Sequence, residues 1–449
     1  MVQRVESLRV APTASAGALL TTAAIALGGA LFLIGAGLQV WGTLFVVGAV
    51  IGISIPVLAR QARRELDGGI FAFLIFALVV KLLGGVLRHF VAFNVYGGVA
   101  DAAGYHRWGI RLAAQFWEGN FDTGFDTLSS TNFIRFLTGI FYAIIGPNQL
   151  GGFILFSWLG FLGLFMFYRA FQLSFPEAAT KTYAKLLFFL PSLVFWPSSI
   201  GKEAWMMFSL GIAAYGIAQA LRSRPWRGLL VAGAGLWLAA LVRPHVAGLM
   251  AIALVVGFVA RRPSSELRHL APIIKGLSVC LLLIAAGFLV AKTDQFLRDE
   301  SNIDTSSGVA SVLAEVSDRT GQGGSEFAPS VLESPLRAPI AVVTVLFRPL
   351  AFDAHNVQSL IAAAEGTFLL LYSLFRFSWI VGALRSLRKW PYAAFAFSFT
   401  GLFVFAFSSL ANFGLLARER VQLLPVFLVL LCIRKARDPL VGNDEPVNP

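Results

Sequence analysis

Residues 69–92 read GIFAFLIFALVVKLLGGVLRHFVA, and this stretch decides the fold. A helix needs about 20 apolar residues to cross the hydrocarbon core of a bilayer, and the stretch supplies them. Arg60, Arg63 and Arg64 stand just before it. Lysine and arginine collect at the cytoplasmic ends of spans, so the stretch enters the membrane from the cytoplasm and emerges outside. Working outward, further apolar stretches lie at 15–38, 40–59, 150–169, 184–199, 203–221, 227–243, 245–260, 271–292, 358–383, 391–411 and 420–434. The first follows the short basic segment MVQRVESLRV. It is too long for the core of a cleaved signal and is expected to remain as an anchor.

Composition agrees. Of 449 residues, 57% are hydrophobic and 13% charged, against about 25% charged in soluble domains. Such a chain cannot cover a water-facing surface, and lipid is its expected solvent. The net charge of +12 fits basic cytoplasmic loops. A nucleic-acid partner would need a basic face on a soluble domain, and none is readable. Cys280 and Cys432 each sit in an apolar run, which argues against a disulfide framework or a zinc site.

The basic residues fix the orientation of the spans. Arg4 and Arg9 precede the first; Arg60, Arg63 and Arg64 follow the second. Arg169, Lys181 and Lys185 surround the turn after the fourth. Arg222, Arg224 and Arg227 follow the sixth, and Arg261, Arg262 and Arg268 the eighth. Arg385, Arg388 and Lys389 follow the tenth, and Arg434, Lys435 and Arg437 the last. One alternating path puts all seven clusters in the cytoplasm, with both termini there. It requires that Phe133–Ile145 and the segment 338–346, each short for a span, be interfacial or re-entrant helices on the outer face.

The expected fold is therefore an all-α polytopic membrane protein of about twelve spans. Two N-terminal spans (1–66) precede a core (67–292) whose first outer loop is 94–148. A second outer region (293–357), C-terminal spans (358–437) and a tail (438–449) follow. In the second outer region, GVASVLAEVSDRTGQGGSEF reads as a short helix and a turn.

The chemistry-bearing residues gather at outer ends of spans. Asp101, Tyr105 and His106 open the first outer loop on an amphipathic surface helix. Asp101 there either caps the helix, takes a proton from a hydroxyl or holds a metal. Lys202 and Glu203 start a span after Pro197-Ser198-Ser199, as an interfacial anchor or as a phosphate-binding pair. Arg243 and His245 flank a turn on the side where basic residues are disfavoured. Arg348-Pro349 precedes Asp353 and His355, and Glu365 lies inside a span, where a carboxylate is a functional candidate by default. Arg418-Glu419-Arg420 precedes the final span, as a surface ion pair or as a phosphate clamp. So many charges are best accommodated in one hydrated cavity open to the outside. No metal ligand set is expected.

These residues resemble the GT-C superfamily of polytopic glycosyltransferases over about residues 70–435. The likeness lies in D101-A-A-G-Y105-H106 at the start of the first outer loop and FIRFLTGIFYAIIG146 later in it. It continues in F189-L-P-S192 and R418-E-R-V-Q-L-L-P425. The family's acidic pair is Asp-Ala here, and two extra spans precede the core. The resemblance implies an inverting transferase of the bacterial plasma membrane. It would move a sugar from a polyprenyl-phosphate-linked donor to a cell-envelope glycan or lipid acceptor on the extracytoplasmic face. Asp101 and Glu203 would be catalytic. Tyr105, His106, Lys202, Arg243, His245, Arg348, Arg418 and Arg420 would bind substrate. No cofactor is certain, with a divalent cation left open. Two alternatives share the general layout: a polysaccharide polymerase or ligase using undecaprenyl-diphosphate-linked oligosaccharides, and a lipid-sugar flippase or other transporter.

Overall fold

A computed structural model describes residues 38–65, 69–176, 179–222, 224–261, 309–320, 327, 337–354 and 357–433, with isolated positions between 273 and 291. The stretches expected at 15–38 and 271–292 and the C-terminal tail lie wholly or mostly outside the described residues, as does His355.

The described residues are helical. α1 (Leu38–Glu65) and α2 (Ile70–Phe90) are long and apolar, and α2 runs into a π-helical turn at Val91–Val95. α3 (Asp101–Trp117) and α4 (Ser130–Ile145) lie in the connection between α2 and the next long helix. α5 (Gln149–Ser174), α6 (Thr180–Phe189) and a short α7 (Pro191–Phe195) come next. α8 (Lys202–Arg222), α9 (Pro225–Ala240) and α10 (Pro244–Ala260) continue the core. Beyond it lie α11 (Val309–Thr320), α12 (Ala338–Phe347), α13 (Val357–Phe375) and α14 (Phe377–Arg385). α15 (Pro391–Phe407), α16 (Phe413–Arg420) and α17 (Leu424–Cys432) complete the order. Five helices among the described residues are long and apolar enough to cross a membrane: α1, α2 with its π turn, α5, α8 and α13. The chain is an integral membrane protein.

Several stretches that read as continuous spans are broken. The apolar stretch 184–199 stops at Leu190, whose ψ of 128° is non-helical, because the residue before a proline is pushed out of the helical region. It restarts at Pro191 and stops again at Pro197. The stretch 358–383 is interrupted at Arg376, between α13 and α14. The final stretch keeps only nine helical residues, all buried. The segments expected as short outer helices, α4 and α12, have 16 and 10 residues.

The centre is α5 against α8 and α8 against α9. α5 buries residues around its whole circumference, including Phe153, Phe161, Phe165 and Phe171, as a helix enclosed by others must. Backbones touch where side chains vanish. A Cβ on Gly163 would lie 2.1 Å from the Met207 carbonyl oxygen, and one on Gly216 2.2 Å from the Ala232 nitrogen. Such small-residue contacts are how helices associate where lipid removes the hydrophobic drive. α3 packs on α4 in the same way, with Gly109 against Thr138 and Gly139 against Leu112. The starts of α3, α4 and α8, the α9–α10 turn and the last turn of α16 are joined by the contacts described next.

Candidate active site

The short helix α16 aims three consecutive charges in three directions, as 100° per residue requires. Asn412 caps it, accepting from the Leu415 N–H at 3.1 Å. Arg418 donates from Nε to Glu203 Oε1 at 2.6 Å and from Nη1 to Asp101 Oδ2 at 3.1 Å. Glu419 pairs with Arg243 at 2.6 Å and accepts from Gln422 at 2.6 Å. Arg420, 1% exposed, donates to the carbonyls of Leu346 and Arg348, both at 2.9 Å. The surface ion pair read from the sequence is thus corrected: Glu419 and Arg420 are buried.

Glu203 lies in the first turn of α8 and is 4% exposed. Its Oε1 also accepts from Arg243 Nη2 at 3.0 Å. Arg243 and Arg418 therefore share one oxygen, and the order Glu419–Arg243–Glu203–Arg418–Asp101 is a chain of alternating charge. A buried carboxylate left alone would be very costly; here each is enclosed by guanidinium. Asp101 differs. It is the first residue of α3 but makes no cap: the N-cap position is Ala100, with no side-chain cap bond. Its carboxylate is 63% exposed, with Arg418 as its ion-pair partner.

Tyr105, one turn further along α3, is 4% exposed. Burial, with the nearby charges of Asp101 and Glu203, pushes its phenol up to about 12. It is a proton-bearing group at any ordinary pH. Glu203, with smaller contributions from Glu419 and Asp101, holds Arg418 charged far above the usual guanidinium range, against its burial. Burial raises Glu419 although Arg243 opposes the shift. Lys202 donates to Ser130 Oγ at 2.7 Å. Ser130 has φ of +49°, a conformation that costs a non-glycine residue about 1–3 kcal/mol, and its N–H reaches the Leu241 carbonyl at 2.7 Å.

Two cavities of about 390 and 380 Å³ meet here. Asp101, Tyr105 and Arg418 line both. The first is completed by Arg88, Tyr96, Val99, Ser199, Gly201 and Glu203. The second is completed by Thr131, Arg135, Lys202, Arg243, Leu415 and Glu419. Of the residues singled out from sequence, Asp101, Tyr105, Lys202, Glu203, Arg243 and Arg418 converge.

Four others do not line these cavities. His106 contacts the Tyr142 hydroxyl through Nδ1 at 2.7 Å, and burial lowers its pKa. His245 is partly buried beside the Phe407 ring. Arg348 makes a forked pair with Asp353 at 2.6 and 3.0 Å and lies over the rings of Phe327 and Phe413. Arg420 lies under α16 as described. The last two shape the seat of α16. Glu365 accepts from the Ser192 N–H and hydroxyl at 2.7 and 2.5 Å, tying α13 to α7.

Sequence reasoning missed Arg88 and Ser130, and named Glu419 only as a member of the Arg418–Arg420 run. Arg88 carried a readable signal: a basic residue at an outer span end runs against the orientation bias, as at Arg243. No group of three His, Cys, Asp or Glu residues converges among the described residues. Glu203 and Glu419 are committed to guanidinium, so the donor set does not fit a protein-held divalent cation. Chemically, the site offers one solvated carboxylate at the junction of two chambers whose walls are rich in cations. Comparison of the chain with protein families, characterised proteins and solved structures returned no match.

Proposed function

We propose that the chain is an inverting membrane glycosyltransferase similar to the GT-C superfamily. It moves a sugar from a polyprenyl-phosphate donor to a cell-envelope glycan or lipid acceptor. The setting is the outer face of a bacterial plasma membrane, with about twelve spans and both termini in the cytoplasm. The observation that carries this reading is Asp101, a solvated carboxylate where two cavities join. A transfer reaction needs a donor pocket and an acceptor pocket that meet at a base.

In this reading Asp101 removes the proton of the acceptor hydroxyl as that oxygen bonds to the anomeric carbon. The carbon–oxygen bond to the phosphate breaks, and the phosphate leaves with the electron pair. Arg418, fixed by Glu203, lies beside the base to stabilise charge on the leaving group. Glu203 is too enclosed to exchange protons with an acceptor, so its role becomes that of a positioning residue. Lys202 and Arg243 serve the second chamber.

The test is transfer from a labelled polyprenyl-phosphate sugar by the purified chain. Asp101→Asn should lower kcat by about 10²–10⁴-fold, the usual worth of base catalysis, with the protein still folded. Full activity in that variant removes Asp101 as the base.

A further inference from the structure

Arg88 has no place in the charge chain around Glu203. It projects from the outer end of α2 into the first cavity. Its guanidinium carbon lies 4.8 Å from the Phe195 ring centre and 5.0 Å from that of Trp196. These rings belong to the broken segment between α6 and α8, so the two proline breaks create the aromatic seat. Its Nε and Nη1 atoms are buried and donate to nothing. Aromatic faces attract a cation but do not satisfy N–H groups in the guanidinium plane, and a buried donor without an acceptor costs about 1–3 kcal/mol. Arg418 and Arg243 spend their donors on carboxylates, and Lys202 gives one to Ser130.

Two further features specify what would complete Arg88. The turn Ser199–Gly201 that leads into α8 lines the same cavity, so the positive end of a 21-residue helix faces the same space and favours an anion. The outer turns of α2 also expose Leu83, Val86, Leu87 and Phe90, and Val95 and Val99 beyond them are exposed too. Arg88 therefore stands where an apolar surface that contacts lipid borders a charged cavity.

We infer that Arg88 binds the phosphate ester of a lipid-borne substrate, whose apolar chain lies along the outer turns of α2 while its phosphate enters the first cavity. This assigns the first cavity to the donor and leaves the second to the acceptor, and it rests on the transferase reading above. The guanidinium plane, held by its rings, fixes two donors that point in different directions, Nε and Nη1, a planar arrangement that a lysine ammonium cannot offer.

The test is equilibrium binding to the full chain in phosphatidylcholine nanodiscs, with farnesyl phosphate, farnesol and inorganic phosphate as probes. Farnesyl phosphate should bind, and Arg88→Gln should weaken it by about tenfold or more. Farnesol should bind weakly and equally to both proteins, and inorganic phosphate far more weakly than farnesyl phosphate. Unchanged farnesyl phosphate affinity in a folded Arg88→Gln protein overturns the inference. Inorganic phosphate binding as tightly as farnesyl phosphate overturns the lipid-borne source. Should Arg88→Gln fail to fold, Arg88→Lys decides: it keeps the charge but loses the planar donors, and equal affinity overturns the assignment. The assay contains no sugar. Arg88-dependent binding in a protein that transfers nothing would end the transferase reading and keep this one; transfer that survives Arg88→Gln unchanged would do the reverse.

Discussion

Arg418 reaches two carboxylates with two different nitrogens, a task set by the shape of guanidinium as much as by its charge. Arg418→Lys keeps the charge but cannot hold Asp101 and Glu203 in that geometry. Its kcat for sugar transfer should fall about 10–100-fold, the range of two lost charge-assisted bonds of modest strength, with the protein still folded. Arg418→Ala leaves Glu203 with Arg243 alone and should also lower stability, by up to about 3–5 kcal/mol, measurable by denaturant unfolding in micelles. Tyr105 gives a pH signature. Its phenol titrates near 12 when folded and near 10 when unfolded. Between those values the folded chain holds more protons than the unfolded one, so stability falls as pH rises. Tyr105→Phe should flatten the decline of melting temperature between about pH 10 and 12; a slope equal to wild type would refute the shift. At this scale six of the residues singled out in the sequence line the cavities, because charges stand out in apolar surroundings. The sequence did not disclose who pairs with whom. The relay through Glu419 depends on α16 having its own cap and a direction different from α17, and neither leaves a pattern in composition. Arg88 was overlooked because an arginine at the end of a span also reads as a plain boundary marker.

Helices of this molecule meet backbone to backbone, and that makes single methyl groups expensive. Gly163→Ala would drive a Cβ to within 2.1 Å of the Met207 carbonyl oxygen. Neither backbone can yield without separating α5 from α8, so the variant should lose about 1–3 kcal/mol in micelle unfolding. Gly48 is a control, because a Cβ there meets nothing within 4 Å, and Gly48→Ala should leave stability unchanged or slightly raised. Helix existence was legible throughout the described core, since runs of apolar residues bounded by charge have few other solutions in lipid. The breaks at Leu190 and Arg376 were not. Apolar composition continues through both, and only the local preference before Pro191 hinted at the first. The first interruption matters for the site, because Phe195 and Trp196, which flank Arg88, lie in the short segment it sets off.

At the scale of the whole chain, the sequence reading expects seven basic clusters on one face of the membrane, and the proposed function needs the cavities on the other. Impermeant maleimide labelling checks this division in a Cys280→Ser background, Cys432 being buried. Asp126→Cys, on the exposed loop between α3 and α4, should react in intact cells. Arg388→Cys, exposed after α14, should react only after permeabilisation. The reverse pattern would put the cavities in the cytoplasm and end the proposed reaction. The separation of Asp101 from Arg418 by 317 positions has a consequence for biogenesis. Until α16 has been synthesised and has docked, Glu203 and Asp101 await their shared counterion, and the two chambers lack their common wall. On the proposed reading, a chain that has not yet docked α16 is inactive, because the guanidinium shared by Glu203 and Asp101 is not yet in place.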